Sequence, residues 1–385
     1  MASTKSLQWT APGAPTLAQA GSAGQDNFLP LRHIAAWMVI YGHCYALAQH
    51  PPGARDWIAA WMPGFYAGSL AVYLFFAISG YLVTLSLLNR PGLLRYLRNR
   101  IARVFPAYIL CLLISVLVLG PLFTRLPWRA YFSDAGTWHY LGENLWPIGL
   151  AWELPGVFAG NHYPHVVNGT LWSLGLEVRW YSYLGVLALL GVLRRRWLFS
   201  TAAAIFLLAS ARQWWLGDPG FDEHDALSMV FIGAALLAHW REYIRVSHTI
   251  MAALVLATAL THSSRWFGPM AATSAVYATF WIAYRLPAMR WPAGRDYSYG
   301  LFLYGFPIQQ AVVVLLPDIS PLPLLFAATL PALGLSMLSW HLLEAPVLRL
   351  NKSGIPARFS ALGRNMLGIL RRRRNEPIAE PADRQ

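Results

Sequence analysis

Ten apolar runs of 15 to 23 residues recur between residues 29 and 341, and basic residues crowd just beyond their ends. About 20 apolar residues in a helix cross the roughly 30 Å hydrocarbon core of a bilayer. Lipid offers no partner to a bare peptide group, so a run of this kind folds as a helix that satisfies its own backbone. The runs fall at 29–48, 69–88, 101–120, 171–193, 197–211, 226–240, 247–261, 269–284, 297–316 and 321–341. They predict an all-α integral membrane protein, a bundle of about ten transmembrane helices. The runs nearer 15 residues imply tilted or thin spans. Charged residues make up only 12% of the chain, about half the share of a soluble domain.

The net charge of +13 invites a nucleic-acid reading, which the distribution of that charge argues against. Arg90, Arg95, Arg98, Arg100 and Arg103 flank one loop, and Arg194 to Arg196, Arg241 and Arg245, and Arg285, Arg290 and Arg295 mark three more. With the basic C-terminal tail these loops all fall on one side of a ten-helix pattern, so both termini are expected to be cytoplasmic. The first 27 residues are rich in Ala, Gly, Ser, Pro and Gln and lack the apolar core of a cleavable leader, which predicts a disordered tail. Residues 28–350 then form the membrane domain and 351–385 a basic tail whose Arg371 to Arg374 run suits anionic headgroups. Cys44 and Cys111 lie inside apolar runs, with neither disulfide nor metal spacing.

The longest outer loop, 121–170, carries four tryptophans together with His139, His162, Tyr163 and His165. Loops this long are functional or disordered, and the aromatic content argues against disorder. Two readings stay open: interfacial anchors, or a platform on which sugar rings stack. Within it, 140–158 holds Glu143, Pro147, Glu153 and Pro155, which fit an interfacial or re-entrant element better than a span.

Arg32 and His43 share the first run, eleven residues apart. At about 100° per residue they return to within about 20° of one another, on one helix face and about 16 Å apart along it. Ionisable groups inside lipid are costly and so mark functional paths. His43 can accept a proton near neutral pH, and Arg32 either lines the path or snorkels to headgroups. Ser79 and Gly80 are small enough for close helix packing. Arg100 and Arg103 stand on adjacent turns of one face, where paired guanidinium forks suit phosphate, either of lipid or of a soluble cofactor. Glu177 needs a partner from another helix, and a Glu177 facing His43 would form a general-base pair.

The order of these motifs resembles the acyltransferase type 3 family of bacterial integral-membrane O-acyltransferases. The resemblance runs from about residue 29 to 351. Arg32 and His43 match its first-helix pair, and the stretch from Phe75 to Tyr81 matches its FFAISGY-like element. YLRNRIARVFPAY at 96–108 matches through Arg100, Arg103 and Pro106. GTLWSLGLEVRWY at 169–181, YSYGLFLYGFP at 297–307 and SWHLLEAP at 339–346 resemble its later blocks. Many members carry a histidine before the proline of the penultimate helix, whereas Gly305 and Phe306 precede Pro307 here. Arg179 is also unusual for its block.

The resemblance implies transfer of an acyl group, often acetyl, from acyl-coenzyme A to a hydroxyl of a cell-surface or exported glycan, in the bacterial inner membrane and without a metal. It implies that His43 acts as the base, with Glu177 orienting it, Arg32 steering, Ser79 assisting, and Arg100 and Arg103 holding the cofactor phosphates. The expected partners are acyl-CoA, a glycan or lipid-linked sugar and membrane lipid, and not nucleic acid. A small metabolite or lipid as acceptor, or a transporter without acyl transfer, are the rival readings.

Overall fold

A computed structural model describes residues 13–353, apart from Gln25, Ile148, residues 218–221, Arg290, Pro292 and Ala293. Among the described residues the secondary structure is helical, with no strand beyond isolated bridges. Each apolar run falls on a long helix: α1 (Phe28–Leu47), α2 (Ala67–Asn89), α3 (Leu93–Ile114), α4 (Leu171–Leu189), α5 (Arg196–Leu216), α6 (Glu223–His239), α7 (His248–Leu260), α8 (Phe267–Arg285), α9 (Ser298–Leu315) and α10 (Pro321–Ser339).

Among the described residues four stretches are long and apolar enough to cross a membrane: Ala67–Asn89, Leu93–Phe123, Ser298–Leu315 and Pro321–Lys352. The chain is therefore a membrane protein, while the expected count of about ten spans holds to this standard for four. The physical reason is visible in the others. α1 carries Arg32, His33 and His43, α4 carries Glu177 and Arg179, and α7 is only 13 residues long. Thirteen residues rise about 20 Å, short of a hydrocarbon core.

Two helices change pitch where the sequence needs a side chain re-aimed. α3 passes through a π turn at Ser115–Leu119, and α10 passes through a second at Trp340–Glu344 before ending in Ala345–Ser353. Such bulges are frequent at functional sites. The second turns Glu344 inward, where Ser339 Oγ donates to its carboxylate at 3.0 Å.

The bundle closes on small residues. A Cβ on Gly80 would stand 2.4 Å from the Phe231 carbonyl oxygen of α6, and one on Gly42 would stand 2.6 Å from the Gly68 backbone nitrogen. Of the small pair on α2, Gly80 thus serves close packing, and Ser79 is left free to point elsewhere.

Part of the N-terminal tail departs from the expected disorder. Leu17–Ser22 is a short helix with a Thr16–Gln19 capping box, its Leu17 buried. Backbone bonds from Leu17 to Ile244 and from Val246 to Pro15 pin it beside the α6–α7 connection. A buried leucine, a satisfied cap and these backbone bonds together hold a segment whose composition alone reads as loose. Residues 1–12 and the Arg371–Arg374 run lie outside the described residues. In the outer loop, Trp128–Ser133 and Ala135–Asn144 are short helices, and the 140–158 stretch continues past the second as irregular chain bridged at Thr124 to Val157 and Glu153 to Val166.

Candidate active site

Four elements meet at the basic end of the bundle. Arg32 Nη1 of α1 lies 2.8 Å from Asp296 Oδ2, and Arg103 Nη2 of α3 lies 2.7 Å from the same oxygen. Arg103 Nη1 also reaches Glu344 at 3.6 Å. The Ser298 amide and hydroxyl both donate to the other Asp296 oxygen. Burial would raise the Asp296 carboxyl, but the Arg103 and Arg32 guanidiniums outweigh it and hold the group well below the ordinary carboxylate range. Next to this knot, His33 Nε2 accepts from the Tyr297 amide at 3.1 Å, and its Nδ1 donates to the Leu29 carbonyl at 2.8 Å. That pairing fixes the neutral tautomer.

Deeper in the bundle, Ser79 Oγ of α2 and the Tyr181 hydroxyl of α4 both donate to Glu177 Oε1. Glu177 and Tyr181 are four apart on α4, so one helix face presents both. Arg100 lies over the Tyr181 ring at 5.6 Å, and Arg103 lies over Tyr299 at 5.4 Å. These residues line a cavity of about 110 Å3 whose wall includes Arg32, Ser79, Arg100, Arg103, Glu177 and Tyr181. A second, wider cavity of about 700 Å3 lies at the basic end and is lined by Arg90, Arg95, Arg98, Arg100, Arg103 and Lys352, with Asn99 and Asn351. Arg100 and Arg103 belong to both walls, so the broad basic vestibule adjoins a smaller, largely apolar pocket inside the bundle whose polar groups are the candidate residues.

His43 sits on α1 beyond this pocket. Its ring meets Phe306 edge to face at 5.1 Å and Tyr66 at 6.4 Å, and its Nδ1 is buried with no hydrogen-bond partner among the described residues. Phe302 and Phe75 line the pocket and pack on one another at 5.7 Å, and Phe306 is one turn further along α9. An aromatic column thus runs from the pocket toward the His43 ring.

Five of the six candidate residues, Arg32, Ser79, Arg100, Arg103 and Glu177, are gathered in one pocket, and His43 stands apart from it. The expected pairing of Glu177 with His43 is not formed, because the carboxylate is committed to Ser79 and Tyr181. Asp296 is the residue that sequence reasoning missed. Its signal was a lone acid in a loop otherwise marked by Arg285, Arg290 and Arg295. Glu344, in the SWHLLEAP stretch, closes the π turn and meets Arg103 there. Among the described residues no cluster of His, Cys, Asp and Glu is arranged to hold a metal.

A helical membrane protein with a basic vestibule leading to a buried carboxylate–hydroxyl cluster has the layout of an enzyme that handles an anionic substrate. The family model of the acyltransferase domain matches residues 31–341, and the chain belongs to that family. It is thereby an acyltransferase. The chain is 28% identical over 330 residues to the O-acetyl transferase of Shigella phage Sf6, covering 81% of this chain and 93% of that protein. It is 25% identical over 376 residues to nodulation protein 10 of Rhizobium leguminosarum bv. viciae, covering 88% and 97%. No solved structure matches the chain.

Proposed function

We propose that the protein moves an acyl group, acetyl in the simplest case, from acyl-coenzyme A to a hydroxyl of a cell-surface or exported polysaccharide, in a bacterial inner membrane with both termini cytoplasmic. One observation carries the donor side of this reading: the vestibule and the inner pocket share Arg100 and Arg103. Guanidinium groups suit the phosphates of the nucleotide head. The narrow pocket suits the thin pantetheine arm. The similarity to the phage O-acetyl transferase supports acetyl as the group and oxygen as the acceptor atom.

In this reading the acceptor hydroxyl attacks the thioester carbonyl, and His43 Nδ1, which has no partner to displace, takes the proton. The carbon–sulfur bond breaks, and the thiolate of coenzyme A leaves toward the vestibule. Ser79 and Tyr181 aim their hydroxyl protons at Glu177 in the resting protein. Each hydroxyl has one proton, so a carbonyl oxygen entering here gains a donor only by displacing the Glu177 carboxylate from it, and that exchange is the oxyanion role proposed for Ser79. Arg32 is held by Asp296 and shapes the pocket wall.

The test is purified protein in liposomes with acetyl-labelled acetyl-coenzyme A and base-treated surface polysaccharide. The wild type should transfer label, and His43→Ala should lose about 10²–10⁴-fold of the rate while remaining folded. A folded His43→Ala variant at the wild-type rate would remove His43 from the chemistry. A wild type that translocates the glycan but transfers no label would put the protein among transporters.

A further inference from the structure

Among the aromatic residues of the outer loop, the fold singles out Tyr163. Two non-glycine residues near it adopt left-handed backbone, Phe158 at φ 54° and His165 at φ 69°. Such conformations persist only where surrounding contacts impose them, and they concentrate at binding sites. Between these two residues the segment is held by Gln310, which is fully buried in α9. Its Nε2 donates to the carbonyls of Tyr163 and Val166, each at 2.8 Å. Asn161 Nδ2 donates back to the Gln310 side-chain oxygen at 2.7 Å and to its carbonyl at 2.9 Å. An amide buried in a membrane helix is therefore spent on clasping 161–166 to the bundle.

The clasp runs through the backbone of Tyr163 and leaves the residue 45% exposed. Its ring meets Phe306 edge to face at 6.4 Å, and Phe306 also meets His43 edge to face at 5.1 Å. Gly169 lies so close to the Phe306 ring that a Cβ there would come within 2.5 Å, so the contact is built in on the loop side as well. Tyr163, Phe306 and His43 form a short aromatic path from the outer surface to a buried nitrogen that has no hydrogen-bond partner among the described residues. His162 and His165 flank Tyr163 and are exposed, with Glu153 Oε2 3.9 Å from His165 Nδ1.

We infer that Tyr163 is the acceptor platform, a ring on which a hexopyranose stacks so that one of its hydroxyls points down the Phe306 wall toward His43. The C–H face of a pyranose is apolar and matches an exposed aromatic ring, while its rim of hydroxyls matches His162, His165 and Glu153. The inference rests on the acyl-transfer reading and adds the acceptor subsite to it.

The test compares two acceptors in the liposome assay: base-treated surface polysaccharide, which offers pyranose faces, and glycerol, which offers hydroxyls without a ring. Tyr163→Ala should raise the polysaccharide KM by roughly three- to tenfold, the size of one aromatic contact. It should leave the acetyl-coenzyme A KM and the transfer to glycerol unchanged, and Tyr163→Phe should restore the wild-type value. An unchanged polysaccharide KM in Tyr163→Ala overturns the platform. So does an equal loss on both acceptors, which marks a loop-holding role, and so does a wild type active on glycerol alone. A wild type that transfers to neither acceptor defeats the acyl-transfer reading itself, and the platform with it.

Discussion

Arg103 bridges Asp296 and Glu344, whereas Arg100 lies over Tyr181 with its Nε buried and no carboxylate paired to it among the described residues. The two arginines are one turn apart, and the sequence alone treats them alike. Removing one partner of a buried ion pair costs about 3–5 kcal/mol, because the remaining charges stay buried and uncompensated. Arg103→Ala should therefore lower the melting temperature in detergent sharply. Arg100→Ala should leave it near the wild-type value and raise the KM for acyl-coenzyme A roughly tenfold, the scale of one lost charge-assisted contact. Paired melting curves and donor titrations check both, and a stable Arg103→Ala protein would deny the ion-pair knot its structural weight. The Arg32–His43 spacing was legible from helix geometry. Asp296 as the partner of Arg32 was not, since 264 positions separate them in the chain and nothing local connects them.

At the scale of elements, α2 and α6 approach through Gly80, whose absent side chain leaves room for the Phe231 carbonyl. A methyl group there forces backbone apart, and overpacking of this kind costs about 1–3 kcal/mol. Gly80→Ala should lower thermal stability, while Gly233→Ala on α6, where a Cβ meets nothing within 4 Å, should not. Equal melting temperatures for the two variants would show that α2 and α6 tolerate separation. The helices themselves were readable as apolar runs. The π turn at Trp340–Glu344 was not, because a one-residue widening leaves no mark on hydropathy, yet it decides where Glu344 points. The short helix at Leu17–Ser22 escaped notice for a related reason: its stability comes from the α6–α7 connection it rests on.

For the whole molecule, the basic vestibule and the aromatic outer loop lie at opposite ends of the helices. If the positive-inside pattern sets the orientation, the donor enters from the cytoplasm and the acceptor from outside. Native Cys44 and Cys111 are buried, so single reporter cysteines can be read cleanly. In intact spheroplasts an impermeant maleimide should label Ser133→Cys and spare Arg95→Cys, both exposed positions, until the membrane is lysed. Labelling of Arg95→Cys from outside would invert the topology and remove the cytoplasmic donor route.

The sequence by itself determined that this chain is a helical membrane protein, which face of its first long helix is costly, and where its basic loops fall. Those properties follow from composition and from the period of a helix, both of which are local. Only the tertiary structure decided that Glu177 serves Ser79 and Tyr181 rather than His43, that Asp296 binds two arginines at once, and that Tyr163 stands before Phe306. Apart from the Glu177–Tyr181 pair within α4, those contacts join side chains from elements distant in sequence, and the packing of helix on helix, set in part by small residues, is what brings them within reach.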